Sequence, residues 1–178
     1  MDHVDDTVSI ALESPRQPGA RRLLDGSTAD AQRLYPPESN FLLDLSALER
    51  PEVAFYVARL GVGVGGTAVG IAALVVDSEP TTDAAGERAE LKRMFVDPDA
   101  RGRGVGGALL TRIEADAAAR GIREIVLETG DLNHAAQALY RRHGYREIAQ
   151  FGQYVGGLHA VCFAKPISRL EPADRAPA

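Results

Sequence analysis

The spacing of apolar positions divides the chain into alternating strand-like and helix-like segments. Thr7 to Leu12 is a short β-rich run ahead of Pro15 and Pro18 and predicts a first strand. Ala20 to Tyr35 has helical character and is ended by Pro36-Pro37. Ser39 to Leu48 predicts a second short helix or an ordered loop, bounded by Pro51. Val53 to Leu60 and Ala68 to Val76 are apolar runs of strand length joined by a Gly-rich turn, Gly61 to Gly66, and read as a hairpin. A polar loop, Asp77 to Arg88, leads into a strand from Glu90 to Val96 that Asp97-Pro98 closes. The next helix runs from about Gly104 to Arg120. Its residues Val105, Leu109, Ile113 and Ala117 fall on one face, and Gly121 is placed to end it. Ile122 to Glu128 is the following strand. Asn133 can cap a helix from His134 to His143, which Gly144 stops. Tyr145 to Ala149 and His159 to Lys165 predict two last short strands.

The strand–helix–strand unit from Glu90 to Glu128 implies a parallel pair with a right-handed crossover. Combined with the hairpin, it predicts a mixed α/β sheet flanked by helices. At 178 residues the chain suits one well-filled domain. The expected boundaries are a short extension over 1–6, a single domain over 7–167, and a disordered tail over 168–178 that is rich in Pro, Ala and charge.

Composition narrows the function. A formal charge of −5 disfavours broad binding to a nucleic-acid backbone. A single Cys excludes an internal disulfide and a Cys-built metal site. No run approaches the ~20 apolar residues of a membrane helix, and Met1 to Asp6 has no apolar secretory core. The expectation is a cytoplasmic protein without metal, nucleic-acid partner or membrane partner. A homodimer is the default assembly for so small a protein.

The strongest local pattern is Arg101-Gly102-Arg103-Gly104-Val105-Gly106, between a strand and the first turn of a helix. Absent side chains let a phosphate approach the backbone, and the unpaired first N–H groups and dipole of the helix attract it. Close packing of a turn also calls for Gly, so the pattern alone leaves both readings open. Two better-known phosphate motifs are excluded. No Gly-Lys-Ser/Thr follows, and the spacing is not Gly-x-Gly-x-x-Gly in an N-terminal βαβ unit.

The turn resembles the Arg/Gln-x-x-Gly-x-Gly/Ala element of the GNAT superfamily of N-acetyltransferases, through Arg101, Gly104 and Gly106. A second match lies downstream in Asn133, Ala136, Leu139-Tyr140 and Gly144-Tyr145. Glu90-Leu91-Lys92-Arg93-Met94 and Cys162-Phe163-Ala164-Lys165-Pro166 are similar to segments of small bacterial acetyltransferases. The resemblance spans roughly Thr7 to Lys165. It implies a centrally splayed sheet and acetyl-CoA as cosubstrate. It further implies a pyrophosphate site on Arg101, Gly102, Arg103, Gly104, Val105 and Gly106, a pantetheine arm along Phe95 and Val96, and a contact from Asn133. The acceptor it implies is a primary amine of a small molecule or peptide. A non-catalytic module that binds or senses acyl-CoA is the alternative.

An alkyl ammonium, with a pKa of about 10, must lose a proton before it attacks. The resemblance places a general base at Glu90. The competing readings are a water relay, and a strand-end Glu that is solvated or merely pairs with Lys92 or Arg93. It places the acid that protonates the departing sulfur at Tyr140, where a core tyrosine is the plainer reading. The N–H of Val96 is the candidate oxyanion donor. Phe41, Phe151 and Tyr154 are candidates for the acceptor pocket or for core packing. Cys162 reads as core, and His159 as lying on the opposite face of its strand. His134 and His143 point to opposite sides of their helix. Asp77, Asp83 and Glu87 read as a solvated loop that can attract an ammonium group.

Overall fold

The computed structural model describes residues 7–61, 65–76 and 88–168. The extension over 1–6, most of the tail, and the loop carboxylates Asp77, Asp83 and Glu87 lie outside them, as does part of the Gly61 to Gly66 turn. Seven strands form one sheet: β1 (Val8–Leu12), β2 (Val53–Leu60), β3 (Thr67–Val76), β4 (Arg88–Val96), β5 (Glu124–Gly130), β6 (Arg146–Ile148) and β7 (Ala160–Pro166). Their spatial order is β1-β2-β3-β4-β5-β7-β6. β1 to β4 form an antiparallel meander, β4 and β5 are parallel, and β7 returns antiparallel against both β5 and β6.

Helices α1 (Pro18–Leu34) and α2 (Leu45–Leu48) cover one face, and α3 (Val105–Ala119) and α4 (His134–Arg142) cover the other. The apolar stripe of α3, Val105, Leu109, Ile113 and Ala117, is fully buried against the sheet, as the spacing predicts. Burying each larger member stabilises the fold by roughly 1.5–3 kcal/mol. Leu91, Ile125 and Leu127 meet that stripe, whereas Leu23, Leu24 and Leu48 pack with Phe55, Val57 and Ile71 on the α1 side. No helix of the described residues is long and apolar enough to cross a membrane.

β5 and β6 begin later than the apolar pattern suggests, for one shared reason. α3 closes with Gly121 at φ +77, whose N–H bonds to Ala118, while Ile122 N–H bonds back to Ala117. α4 closes in the same way, with Gly144 at φ +84 bonded to Arg141 and Tyr145 N–H bonded to Tyr140. This is the Schellman arrangement, in which the residue after the left-handed Gly is apolar and packs back on the helix. Ile122 and Tyr145 are buried accordingly, but they serve their helices and not the strands that follow.

Candidate active site

The sheet parts at its centre. The parallel register runs from Arg88↔Glu124 to Leu91↔Leu127, and both strands continue beyond it: β4 to Val96 and β5 to Gly130. β5 keeps pairing with β7 through Glu128↔Cys162 to Gly130↔Ala160, so β5 is held away from β4. A cavity of about 700 Å3 occupies the opening.

A bulge shapes the β4 wall. The β3–β4 register shifts between Ile71↔Phe95 and Ala73↔Lys92, and Arg93 sits at φ +54. A bulge breaks strict alternation and re-aims side chains. Lys92 and Arg93 both line the cavity, and Arg93 reaches α1. Met94 returns to the α3 core and Phe95 to the α1 core.

At one end of the opening lies the Gly-rich turn. Gly104 is the N-cap of α3 at φ +79, a conformation that favours Gly, and a Cβ there would face open space. The first intrahelical bond is Ala108 N–H to Gly104, which leaves the preceding N–H groups of Val105, Gly106 and Gly107 as an anion cradle. Gly106 has a different duty: a Cβ on it would lie 3.0 Å from Leu139 Cδ2, so its small size lets α3 approach α4. Arg101 turns back toward the sheet. Its Nε donates to Val96 O at 3.2 Å and its Nη2 to Asp30 at 3.1 Å. Gly102, at φ +80, and Arg103 stand exposed beside the cradle. These residues fit a pyrophosphate: the donors are backbone groups, and the space before them is open.

Asn133 caps α4, its side-chain oxygen accepting from Ala136 N–H at 3.3 Å, and also borders the cavity together with Ala136. Phe95 and Val96 lie along the cavity wall, on the stretch of β4 that pairs with β3 but no longer with β5.

Titratable groups gather on the α1 side. Glu90 pairs with Lys92 at 3.0 Å and accepts a short hydrogen bond from the hydroxyl of Tyr154, which Lys92 also contacts. The pairing with Lys92 anticipated for a strand-end glutamate is therefore present, inside the cavity. In parallel strands Glu90 lies opposite Val126, so Glu128, two residues on, shares its face. Glu128 is half-buried in the cavity wall. Burial pushes its carboxyl up to about 7; Lys92 opposes the rise and Glu90 adds to it. Sequence reasoning did not single out Glu128, because it ended the strand there.

Tyr140 stands on the other face, packed with Leu91, Leu127 and Phe163 and bordering the cavity. Burial, and secondarily the charge of Glu128, raise its pKa, so it stays protonated at any working pH. The anticipated core packing of Tyr140 and its exposure to the slot thus coexist.

The mouth on the α1 side is assembled from distant segments. Phe41 and Tyr154 line it, their rings edge-on at 5.1 Å. Phe151 instead supports Tyr154 from behind, at 5.2 Å. His159 lies just ahead of β7 and lines the cavity, its Nδ1 3.1 Å from Asp131. Tyr35 lies beside His159, and its hydroxyl accepts from Leu132 N–H at 2.8 Å, tying the end of α1 to the loop after β5. Cys162 is buried in the core.

Comparison with known proteins agrees with this geometry. Residues 20–145 match the family model of the acetyltransferase (GNAT) family. The chain is 41% identical over 160 residues to an IAA acetyltransferase of Azospirillum brasilense, covering 90% of this chain and 98% of that one. A solved Klebsiella pneumoniae structure described as an acyl-CoA N-acyltransferase aligns with a TM-score of 0.75 at 31% identity, over 92% of this chain and 99% of that one. The ribosomal-protein-S18-alanine N-acetyltransferase of Escherichia coli shares the fold, with a TM-score of 0.64 at 21% identity over 94% and 98% of the two chains. With the parted sheet, the helix-capping cradle and these likenesses together, the chain belongs to the acetyltransferase (GNAT) family and is an N-acyltransferase.

Proposed function

We propose that this chain moves an acetyl group from acetyl-CoA to a primary amine of a small molecule or peptide by direct attack. The reading is carried by the opposed placement of Glu128 and Tyr140 across the parted strands. One face of the slot holds a carboxylate that titrates near neutrality, and the other holds a phenol that stays protonated.

The cradle at the start of α3, with the turn from Arg101 to Gly106, would hold the coenzyme's pyrophosphate, and the edge of β4 at Phe95 and Val96 that β5 leaves would take the pantetheine arm. Asn133 borders the same path. The bound coenzyme supplies an activated thioester carbonyl. The proton transfers fall to side chains. Glu128 is the proposed base. An ordinary carboxylate near 4.3 is a weak acceptor for an ammonium proton, whereas one near 7 is better matched to neutral pH. Glu90 has Lys92 and Tyr154 as partners, so we assign it the role of holding Lys92 and raising Glu128. Tyr140 donates its proton to the departing sulfur, as the resemblance implies.

The test is release of free thiol from acetyl-CoA over a panel of amines, measured against pH. Acceptor-dependent release with an acid limb near 7 is expected. Coenzyme binding without release toward any amine would mark the chain as a sensor of acyl-CoA.

A further inference from the structure

The bulge in β4 places two cations in succession on the acceptor side of the slot, and only the first is neutralised. Lys92 has Glu90 at 3.0 Å and the hydroxyl of Tyr154. Arg93 has no carboxylate within ion-pairing distance among the described residues. Its Nη2 donates to Leu24 O at 3.0 Å and to Thr28 Oγ1 at 3.2 Å, both neutral acceptors. Its Nε is buried and has no partner among the described residues. The residue is held at φ +54, an unfavourable conformation for a side-chain-bearing residue. Backbone strain of this kind persists where the surrounding structure over-determines it and clusters at ligand clamps.

Arg93 also occupies a boundary. It lines the main cavity and a second cavity of about 290 Å3 whose wall joins Leu42, Leu43, Leu45 and Leu48 to the charged Arg21, Asp25 and Asp44. Leu42 borders both. The guanidinium therefore stands at the junction of the slot with a leucine-rich compartment beside α1 and α2. Burial disfavours its charge, and Asp25 compensates only at a distance. A half-buried guanidinium that lines a cavity and ion-pairs with no described carboxylate favours an anion beside it.

From this we propose that Arg93 is a specificity-determining residue, which binds a carboxylate carried by the acceptor amine. The inference rests on the transferase reading above and narrows its acceptor class. A single uncompensated cation matches a monoanion. A phosphate dianion would leave excess negative charge beside Glu90 and Glu128, which are already on this face. The guanidinium fork also matches the planar geometry of a carboxylate. The leucine-rich lining beyond Arg93 suits an acceptor with an apolar body.

The experiment pairs each acid with its uncharged counterpart. α-Amino acids, 4-aminobutanoate and 6-aminohexanoate are compared with the corresponding amides as acceptors in the thiol-release assay. The parent protein should favour at least one acid over its amide by about tenfold or more in kcat/KM, the worth of one charge-assisted hydrogen bond. Arg93→Gln should raise KM for that acid by about tenfold to a hundredfold and leave its kcat within a few-fold. The amide should be nearly unaffected, and Arg93→Lys should recover part of the preference. A purely structural Arg93 would depress acid and amide alike, which overturns the proposal. Equal use of acids and amides by the parent protein overturns it too. Should the variants fail to fold, inhibition of the parent protein decides. Competition by the N-acetylated acid but not by its amide supports the site, and equal inhibition by both rejects it. The coenzyme-induced thermal shift separates the two failures: a normal shift with no release toward any amine refutes the transferase reading, and this inference with it.

Discussion

The two sides of the slot are built on different principles. The side proposed for the coenzyme, made by β4, α3, β5 and α4, is mainly backbone: a cradle of N–H groups and a helix cap. The side proposed for the acceptor is mainly side chains. Tyr35, Phe41, Lys92, Arg93, Tyr154 and His159 converge from the end of α1, the segment before α2, the bulge in β4 and the approach to β7. Backbone sites depend on local conformation and tolerate neighbours of many kinds. Side-chain sites depend on which residues the topology brings together, so the same fold can accept different amines.

The comparison is broken most severely at the cradle. Gly104→Asp puts an anion and a side chain into the open space before the helix, at φ +79. It should abolish the stabilisation by acetyl-CoA, worth ~2.7 kcal/mol at a hundredfold excess over Kd, and with it all turnover. Thermal melting with and without coenzyme reads this directly. A folded variant with a full shift refutes the cradle. Next in size is Tyr140→Phe, which keeps the ring among Tyr145 and Phe163 and removes only the hydroxyl. A loss in kcat of about 10²–10⁴-fold is expected with the coenzyme shift retained. Near-full turnover at saturation assigns the proton to water or to another group.

This contrast also governs how much was legible in the sequence. The conformation of the Gly-rich turn and of α3 and α4 was read from local signals. The Gly at left-handed positions, Asn133 at a cap and the four-residue recurrence in α3 each announce their own conformation. The meander, the parallel pair and the helices followed from the same kind of reading. The acceptor side was only partly legible. Nothing in Lys92-Arg93-Met94 marks a bulge, because the positive φ falls on Arg and not on Gly. Glu128 was passed over at the end of its strand. The signal available was phase: with Leu91 and Leu127 on the α3 face, Glu90, Lys92 and Glu128 must share the other. Tyr35 and His159 meet through contacts more than a hundred residues apart, which no periodicity encodes.

Glu128→Gln gives the third effect, with opposite signs in two measurements. Loss of the base should lower kcat/KM by about 10²-fold at neutral pH and remove the limb near 7. Stability should move the other way. The folded pKa of Glu128 lies above its ordinary value, so its favourable contribution is present at low pH and is lost as pH rises through about 7. The ionised carboxylate then costs roughly 3 kcal/mol before solvent relaxation reduces that figure. The variant should melt above the parent at pH 8.5 and lose that advantage near pH 4.5. A variant less stable than the parent at pH 8.5 contradicts the burial argument.

The smallest expected effect is the most discriminating, because it decides between two carboxylates on one face. Glu90 contributes negative charge that holds the Glu128 proton, and Lys92 contributes positive charge that releases it. Glu90→Gln removes the first and frees the second from its ion pair. Both changes act in the same direction, so the acid limb of kcat/KM should move below 7. The rate on the plateau should fall by no more than about tenfold, since the amine still meets an ionised Glu128. If Glu90 were itself the base, the same substitution would give a deep loss at neutral pH. High pH would then partly restore the rate, as the amine loses its proton unaided. A pH profile of the single variant separates the cases: a limb displaced downward with a shallow loss assigns the base to Glu128, and a deep loss that recovers with rising pH returns it to Glu90.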